Sequence, residues 1–521
     1  MAGVVKLPEN IFRKIKNSIP RQWMVCFVSA LIVGFIAHFY KLTNWLPNWD
    51  SLVFRYDSQN MTELGRWFLG IVCSVSSYYD LPFLNGLISI LFHALGAVCI
   101  VKTLNIKKEI TAFLTGAIIV SFPTVTSVLM YNYVADGYGI AFFLSTLAAV
   151  LMTDKKPKYL LALFLICLST AIYQAYITVT ITLLIVSLLD KLIYQKEDIK
   201  SLIKKALKYA LTGILGLALY YLILMIILKR NGIGLLDYQG ISNSASSFSM
   251  DLKGSFYLVK EICFDYFFDF SKGANLFIIL NVIIFVFTVS VYVTHAFKNK
   301  IFKSFSKILL AVLLIGVLLI GSVVLVFINP NIDYHNLMVM GYSIFYVFFI
   351  ILYEKETKKK TNLDFVKNWG VLIISLVLIL NQIVLSNVCY HKAQMAYEKS
   401  YGTLIRIADR IEQTKGSEKC NEILVIGALC DSEKYSIDFP PDMTGVTDGY
   451  IIRKDDEQVN QSVFCSALND YCHKDYKFIS GERKKELLKD DEIKNMSEWP
   501  EQGSIIVKDN IIVVNFKMES E

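Results

Sequence analysis

About eleven stretches of this chain are long and apolar enough to cross a lipid bilayer, and no other feature narrows its possible folds so far. The hydrocarbon layer is roughly 30 Å thick, so a helix rising about 1.5 Å per residue needs about 20 mostly apolar residues. The segments that meet this test run over residues 22–41, 83–103, 109–127, 136–152, 159–172, 174–190, 208–228, 275–296, 308–328, 337–353 and 369–388. The fifth and sixth are short, and little polar punctuation separates them at 170–176. The expected fold is an α-helical polytopic membrane protein with about eleven transmembrane helices.

Charge divides the chain in two. Of 521 residues, 55% are hydrophobic and only 19% charged, against about 25% charged in soluble proteins. The net charge of +7 splits into −8 over residues 393–521 and +15 over residues 1–392. A basic, apolar body carrying an acidic tail excludes a cytosolic enzyme and an ordinary nucleic-acid binder. Lys and Arg collect in alternate loops: 13–21, 107–108, 155–158, 191–208, 298–307 and 355–367. The loops at 121–135 and 329–336 hold none. Basic flanks stay cytoplasmic, so the N-terminus is expected inside and the tail outside. The first span lacks a small-residue cleavage site and reads as an uncleaved anchor.

Three outer segments are long. In the first, 42–82, residues 62–78 are apolar but interrupted by Arg66, which suits a segment lying along the membrane surface. The second, 229–274, is rich in Gly, Ser and Asn before it turns aromatic. The third is the tail. It carries a helical stretch at 393–411, a buried-strand-like run at 423–429 and an amphipathic helix near 482–488. Two apolar runs, 504–507 and 511–516, flank Asp509-Asn510 as a hairpin would. These features divide the chain into a membrane domain, 1–392, and an extracytoplasmic α/β domain, 393–521. Cys26, Cys99 and Cys167 fall in spans, as small hydrophobes. Cys420, Cys430, Cys465 and Cys472 lie in the tail, and one or two disulfides are expected there in preference to a zinc site.

Ionisable groups are costly in lipid, and here the carboxylates gather at the outer helix ends: Asp50, Asp57, Glu63, Asp136 and Asp333. That pattern points to a site at the membrane surface. Asp57 and Glu63 also have a plainer reading, as solvated loop carboxylates or residues favoured by a helix dipole. Asp50, set between aromatic residues, is placed to act as a general base towards a sugar hydroxyl. Asp136 and Tyr138 lie in a Tyr- and Gly-containing run suited to sugar or headgroup contact. Arg66 offers a planar fork for a phosphate. Lys229 and Arg230 break the positive-inside trend, and either hold an anionic lipid phosphate or snorkel. His335 alone among the six histidines is placed near the outer carboxylates; His38, His93 and His295 read as packed or interfacial.

Four motifs in order, Asn48-Trp49-Asp50, Gly65-Arg66-Trp67-Phe68, Ser121-Phe122-Pro123-Thr124 and Ala135-Asp136-Gly137-Tyr138, resemble the Gtr-type O-antigen glucosyltransferases. These are serotype-converting membrane enzymes of bacterial lipopolysaccharide modification, similar to C-type glycosyltransferases. The run Trp499-Pro500-Glu501-Gln502-Gly503-Ser504 resembles that family's closing signature. The resemblance implies transfer of glucose from undecaprenyl phosphate-glucose to O-antigen or another surface glycan, at the outer face of the bacterial inner membrane. It assigns the base to Asp50 and sugar or donor contacts to Asp136 and Arg66. Two positions depart from the pattern: Ser51 stands where a second acid is common, and Pro330 is followed by Asn331 rather than Arg. Lys229 or Arg230 is then a possible substitute grip on the donor phosphate. No metal site is evident, although a divalent ion loosely held by Asp50 and the donor phosphate is left open. Rival readings are a polyprenyl-linked sugar flippase or transporter, which needs polar groups across the midplane, and a membrane acyltransferase, for which only His335 is suitably placed.

Overall fold

The computed structural model describes residues 8–195, 197–236, 252–269, 275–327, 334–355, 362–427 and 457–516, with residues 429, 443, 445 and 446. Asp333, Pro330, Asn331, Cys430 and much of the 229–274 segment lie outside them. The membrane part comprises α1 (Pro8–Ser18), α2 (Arg21–Thr43), the short α3 (Trp49–Val53) and α4 (Leu69–Cys73), α5 (Pro82–Thr103), α6 (Glu109–Ser121), α7 (Pro123–Met130), α8 (Ala135–Thr153), α9 (Tyr159–Ile172) and α10 (Ile177–Ile193). It continues with α11 (Ile199–Asn231), α12 (Leu252–Phe268), α13 (Leu276–Lys298), α14 (Phe305–Ser322) and α15 (Ser343–Ile350). A long helix, α16 (Asn362–Gln413), leads into the tail.

Among the described residues nine helices are long and apolar enough to cross a membrane. Each of the eleven expected segments coincides with an apolar helix, but Tyr159–Ile172 and Met340–Glu354 are shorter than a crossing. The expected single helix over 109–127 is bent. Pro123 has no N–H to give and pushes Phe122 into extended backbone (φ −59°, ψ 137°), so α6 stops and α7 restarts. The motif around Ser121 is therefore a kink, and Ser121 Oγ ties it to Gln382 of α16 at 3.0 Å.

Small residues let these helices approach closely, as expected where lipid supplies no hydrophobic drive between them. A Cβ on Gly116 of α6 would stand 2.3 Å from the Cys26 carbonyl of α2. His38 and His93 are fully buried in this packing: His38 bonds Tyr390 Oη and Val120 O, both at 2.8 Å, and His93 stacks on Phe142.

Contacts between loops sort them onto two faces. On one, Lys108 reaches the Tyr353 carbonyl, Lys355 pairs with Asp190, Lys102 lies 3.8 Å from Asp154, and Asn299 bonds Ile193 O. On the other lie the 44–81 loop, the turns at 131–134 and 173–176, the end of α11 and the tail. The lysine-rich loops share the first face.

The tail is built on a four-stranded sheet of order β2-β1-β4-β3, with β1 (Glu422–Ile426) parallel to both β2 (Lys477–Phe478) and β4 (Ile511–Asn515). β3 (Ile505–Lys508) and β4 form the expected hairpin, and its turn residues Asp509 and Asn510 have φ of 48° and 60°, as a tight two-residue connection requires. Side chains alternate across the sheet. Ile423, Val425, Ile512 and Val514 face α16 and α17 (Glu457–Cys472), while Leu424, Ile426, Ile511 and Val513 face α18 (Gly481–Leu487) and α19 (Asp491–Lys494). Both sheet faces are covered, which is why β1 and β4 read as unbroken apolar runs. At the sheet's rim the Arg483 fork grips Glu422 at 2.6 and 2.7 Å and holds its carboxyl below the ordinary range.

The expected disulfides are corrected: Cys420, Cys465 and Cys472 are free thiols. Cys465 and Cys472 are seven positions, about two turns, apart on α17, beyond the roughly 7 Å Cα separation that a disulfide spans. The Cys465 and Cys420 thiols lie instead against the carbonyls of Tyr476 and Gly416.

Body and tail share a core. α16 is continuous across residue 392, the expected domain boundary, and Leu52 of α3 is buried among Leu404, Ile407, Val463 and Phe464 of the tail. Tyr390 and Ala393 of α16 bury Leu46 and Met130 together with Met443 and Val446. Leu52→Ala is expected to destabilise this joint by roughly 2–5 kcal/mol. Thermal unfolding in detergent with limited proteolysis tests it: the tail should become cleavable before the body does.

Candidate active site

The site is organised by the 44–81 loop. Asn48 opens α3 with a reciprocal cap: its side chain accepts the Ser51 N–H at 3.0 Å, and Ser51 Oγ accepts the Asn48 N–H at 3.3 Å. Asn48 also donates to the Met130 carbonyl at the end of α7 (3.3 Å), which pins α3 to the body. Ser51, the residue found where a second acid was anticipated, is thus part of the cap. Asp50 follows in the first turn of α3 and is half-buried.

Arg66 is set by a different device. Gly65 takes φ +77°, and its carbonyl accepts a hydrogen bond from Tyr220 Oη of α11 at 3.0 Å. Gln174 Nε2 donates to the neighbouring Leu64 carbonyl at 2.9 Å. The turn so formed lays the guanidinium over the Tyr173 ring, 4.8 Å from its centre, and Nη1 donates to Tyr138 Oη at 3.2 Å. Tyr138 and Tyr173 are stacked at 4.6 Å. Aromatic faces attract a cation, so the two tyrosines help to fix where the guanidinium lies.

Tyr133 connects the two halves. It stacks on Phe54 at 5.3 Å and lies within electrostatic reach of Asp50, Arg66, Tyr131 and Tyr138. Asp50, Arg66 and Tyr138, read separately from the sequence, all lie within electrostatic reach of one buried ring.

The other expected residues take different positions. Asp136 is completely buried, and its carboxylate accepts from Ser76 Oγ (2.5 Å), the Gly137 N–H (2.8 Å) and Cys73 Sγ (3.5 Å). It fastens α4 and the 74–76 turn to α8. Asp57 is exposed and accepts from Ser58 Oγ. Glu63 is half-buried, and its backbone carbonyl receives the Leu236 N–H, which brings the chain after α11 back to the loop. Lys229 and Arg230 are exposed at that end of α11, at the margin of the cluster. His335 is half-buried beside the 336–338 turn, which packs on α7 and on residues 174–176; Thr124 Oγ1 bonds Asn336 O at 2.7 Å. Among the described residues no three His, Cys, Asp or Glu side chains come together as metal ligands would. Tyr173, Gln174 and Tyr220 were not singled out from the sequence. The first two sit where one apolar segment runs into the next, and Tyr220 lies within an apolar span.

The family model for glucosyl transferase GtrII matches residues 39–353. The chain belongs to the GtrII glucosyltransferase family. The match contains Asp50, Arg66, Asp136, Tyr138, Lys229, Arg230 and His335, and it ends before α16 and the tail. No curated protein and no solved structure matches the chain. The kinship read from the sequence motifs is thus shown for the body. Trp499-Pro500 lies outside the matched residues; Trp499 is buried beneath Arg406 and Arg410 of α16. The chain is a membrane protein of a glucosyltransferase family, and Asp50, Arg66, Tyr138 and Tyr173 lie on the face away from the lysine-rich loops.

In this GtrII protein the Arg66 turn depends on a position with no side chain. A Cβ on Gly65 would stand 2.5 Å from Tyr220 Oη, at a φ that L-residues rarely adopt. Gly65→Ala should therefore displace Arg66 and lower glucosyl transfer by about tenfold or more, the equivalent of about 1.4 kcal/mol in the barrier. Transfer rates measured beside the size-exclusion profile check this, since the protein should still elute as a folded species.

Proposed function

We propose that this chain transfers glucose from undecaprenyl phosphate-glucose to O-antigen or another surface glycan at the outer face of a bacterial inner membrane. The observation that carries this reading is that Asp50 and Arg66, a carboxylate and a guanidinium each partly buried, lie within electrostatic reach of the same Tyr133 ring. Transfer from a lipid phosphate asks for that pair. The leaving group is already a stable anion, so little protonation is needed, and catalysis rests on placing the acceptor and balancing charge.

In this mechanism Asp50 takes the proton from the acceptor hydroxyl as its oxygen attacks the anomeric carbon. The bond from that carbon to the phosphate oxygen breaks, and the lipid phosphate leaves with the electron pair. Arg66, held on Tyr173 and Tyr138, stabilises the charge on the departing phosphate. Attack from the side opposite the phosphate inverts the anomeric centre. Lys229 and Arg230 sit at the edge of the same face and suit the donor's second phosphate contact. The positive-inside pattern supports an extracytoplasmic tail and site.

Two conservative variants separate the chemical carboxylate from the structural one. Asp50→Asn should reduce transfer by about 10²–10⁴-fold, the usual range for a lost general base, with thermal stability unchanged. Asp136→Asn turns one acceptor into a donor facing other donors, and should cost about 1–3 kcal/mol of stability. Release of polyprenyl phosphate from a defined donor, measured beside a melting curve, reads both; a fully active Asp50→Asn protein would sink the assignment.

A further inference from the structure

A cleft of about 350 Å³ opens in the 44–81 loop beside the cluster just described, lined by Trp45, Arg55, Tyr56, Tyr79 and Asp80 together with the apolar Leu81 and Pro82. Its volume sits at the lower end of the roughly 300–1,000 Å³ typical of small-molecule sites. Tyr56 and Tyr79 form its rim. They are paired by an antiparallel bridge, their rings meet edge-to-face at 5.2 Å, and they are 67% and 47% exposed. Two broad aromatic surfaces are thus left facing solvent at a cleft mouth.

The lining is mostly apolar, and its few polar groups are ordered. Asp80 is buried, and accepts from Asn132 Nδ2 at 2.6 Å and Trp45 Nε1 at 3.1 Å. Arg55 lies over Trp45, 4.6 Å from the ring centre, and 3.6 Å from Asp470 of the tail. Lys41, buried below, is within electrostatic reach of Asp80. Each charge in the cleft therefore has an opposite charge near it.

This balance decides what the cleft can hold. A phosphate site would present uncompensated positive charge, and a purely lipidic site would not keep a carboxylate and a guanidinium in its floor. A neutral sugar suits it. The C–H face of a pyranose packs on an aromatic ring, while its hydroxyls exchange hydrogen bonds with carboxylate and guanidinium. The position also fits. Asn132, which holds Asp80, adjoins Tyr133, the ring that Asp50 and Arg66 share. The tail contributes Asp470 and Tyr471, the latter 6.0 Å from the Arg55 guanidinium.

We propose that this cleft is a carbohydrate subsite that holds the acceptor, a neutral oligosaccharide, and leads its hydroxyl towards Asp50. The acceptor role rests on the transfer reaction proposed above; the binding of sugar does not. The tail is then part of acceptor recognition, through Asp470 and Tyr471, although it lies outside the family match.

The test uses the full-length protein in lipid nanodiscs. The probe is a set of oligosaccharides released by mild acid from the host's own surface polysaccharide, with binding read by saturation-transfer NMR without donor. Wild type and Asp50→Asn should bind alike. Tyr56→Ala and Tyr79→Ala, both at exposed positions, should weaken binding by about tenfold, the equivalent of about 1.4 kcal/mol. In the transfer assay they should raise the acceptor KM by a similar factor while leaving kcat and the donor KM within about twofold. Failure of wild type to bind the oligosaccharides, or unchanged binding by the tyrosine variants, overturns the subsite. A rise in donor KM alone also overturns it, because the tyrosines would then be anchoring lipid. An active Asp50→Asn protein that still binds sugar would instead remove the catalytic assignment and leave the subsite standing.

Discussion

Hydrogen bonds between the helix bundle and the 44–81 loop, given in both directions, set the geometry of the site. Tyr220 and Gln174 bind the carbonyls of Gly65 and Leu64, Asn48 binds that of Met130, and Asn85 binds those of Tyr79 and Asn132. Where such peptide groups are buried away from water, each one left unpaired costs several kcal/mol. Side chains from buried helices meet that need, and in doing so dictate where the loop runs. Arg66 and Asp50 owe their positions to these bonds more than to contacts of their own.

The helical segments were legible in the sequence because lipid imposes one simple rule, a sustained apolar run. The limits of that rule are equally physical. Over 109–127 the apolar run continues unbroken, while Pro123 bends the backbone beneath it. At 170–176 hydropathy shows only a blurred join, yet Tyr173 and Gln174 there build the Arg66 pocket. The hairpin at Asp509-Asn510 was readable because its turn chemistry is local. The joint between α3 and the tail was not, since Leu52 gives no sign of which distant apolar residues it will meet.

Carboxylates show the same division. Asp50 and Asp136 look alike in sequence, each beside aromatic residues at the end of an apolar run. Three donors converge on Asp136, which makes it a strut inside the fold. Asp50 stays at the surface of a five-residue helix whose cap is supplied by its neighbours Asn48 and Ser51. Asp136 is told apart by its full burial and by Ser76 and Cys73, which reach it from 60 and 63 residues away in the chain. The cysteines carry a related lesson: an even number of them in an acidic tail invites pairing, but Cys465 and Cys472 lie two turns apart on one helix.

The uninterrupted run of α16 has a mechanical meaning. Its 52 residues make a rod of roughly 78 Å, far longer than the bilayer core it starts from. A rod of that length, gripped by the bundle at one end and by the sheet at the other, acts as a mast. The tail it carries is packed on the loop face through Leu52 and Arg55, and cannot lift away without breaking those contacts or the rod's own hydrogen bonds. A glycan acceptor therefore meets the loop face with the tail already seated on it, one fixed wall rather than a closing lid.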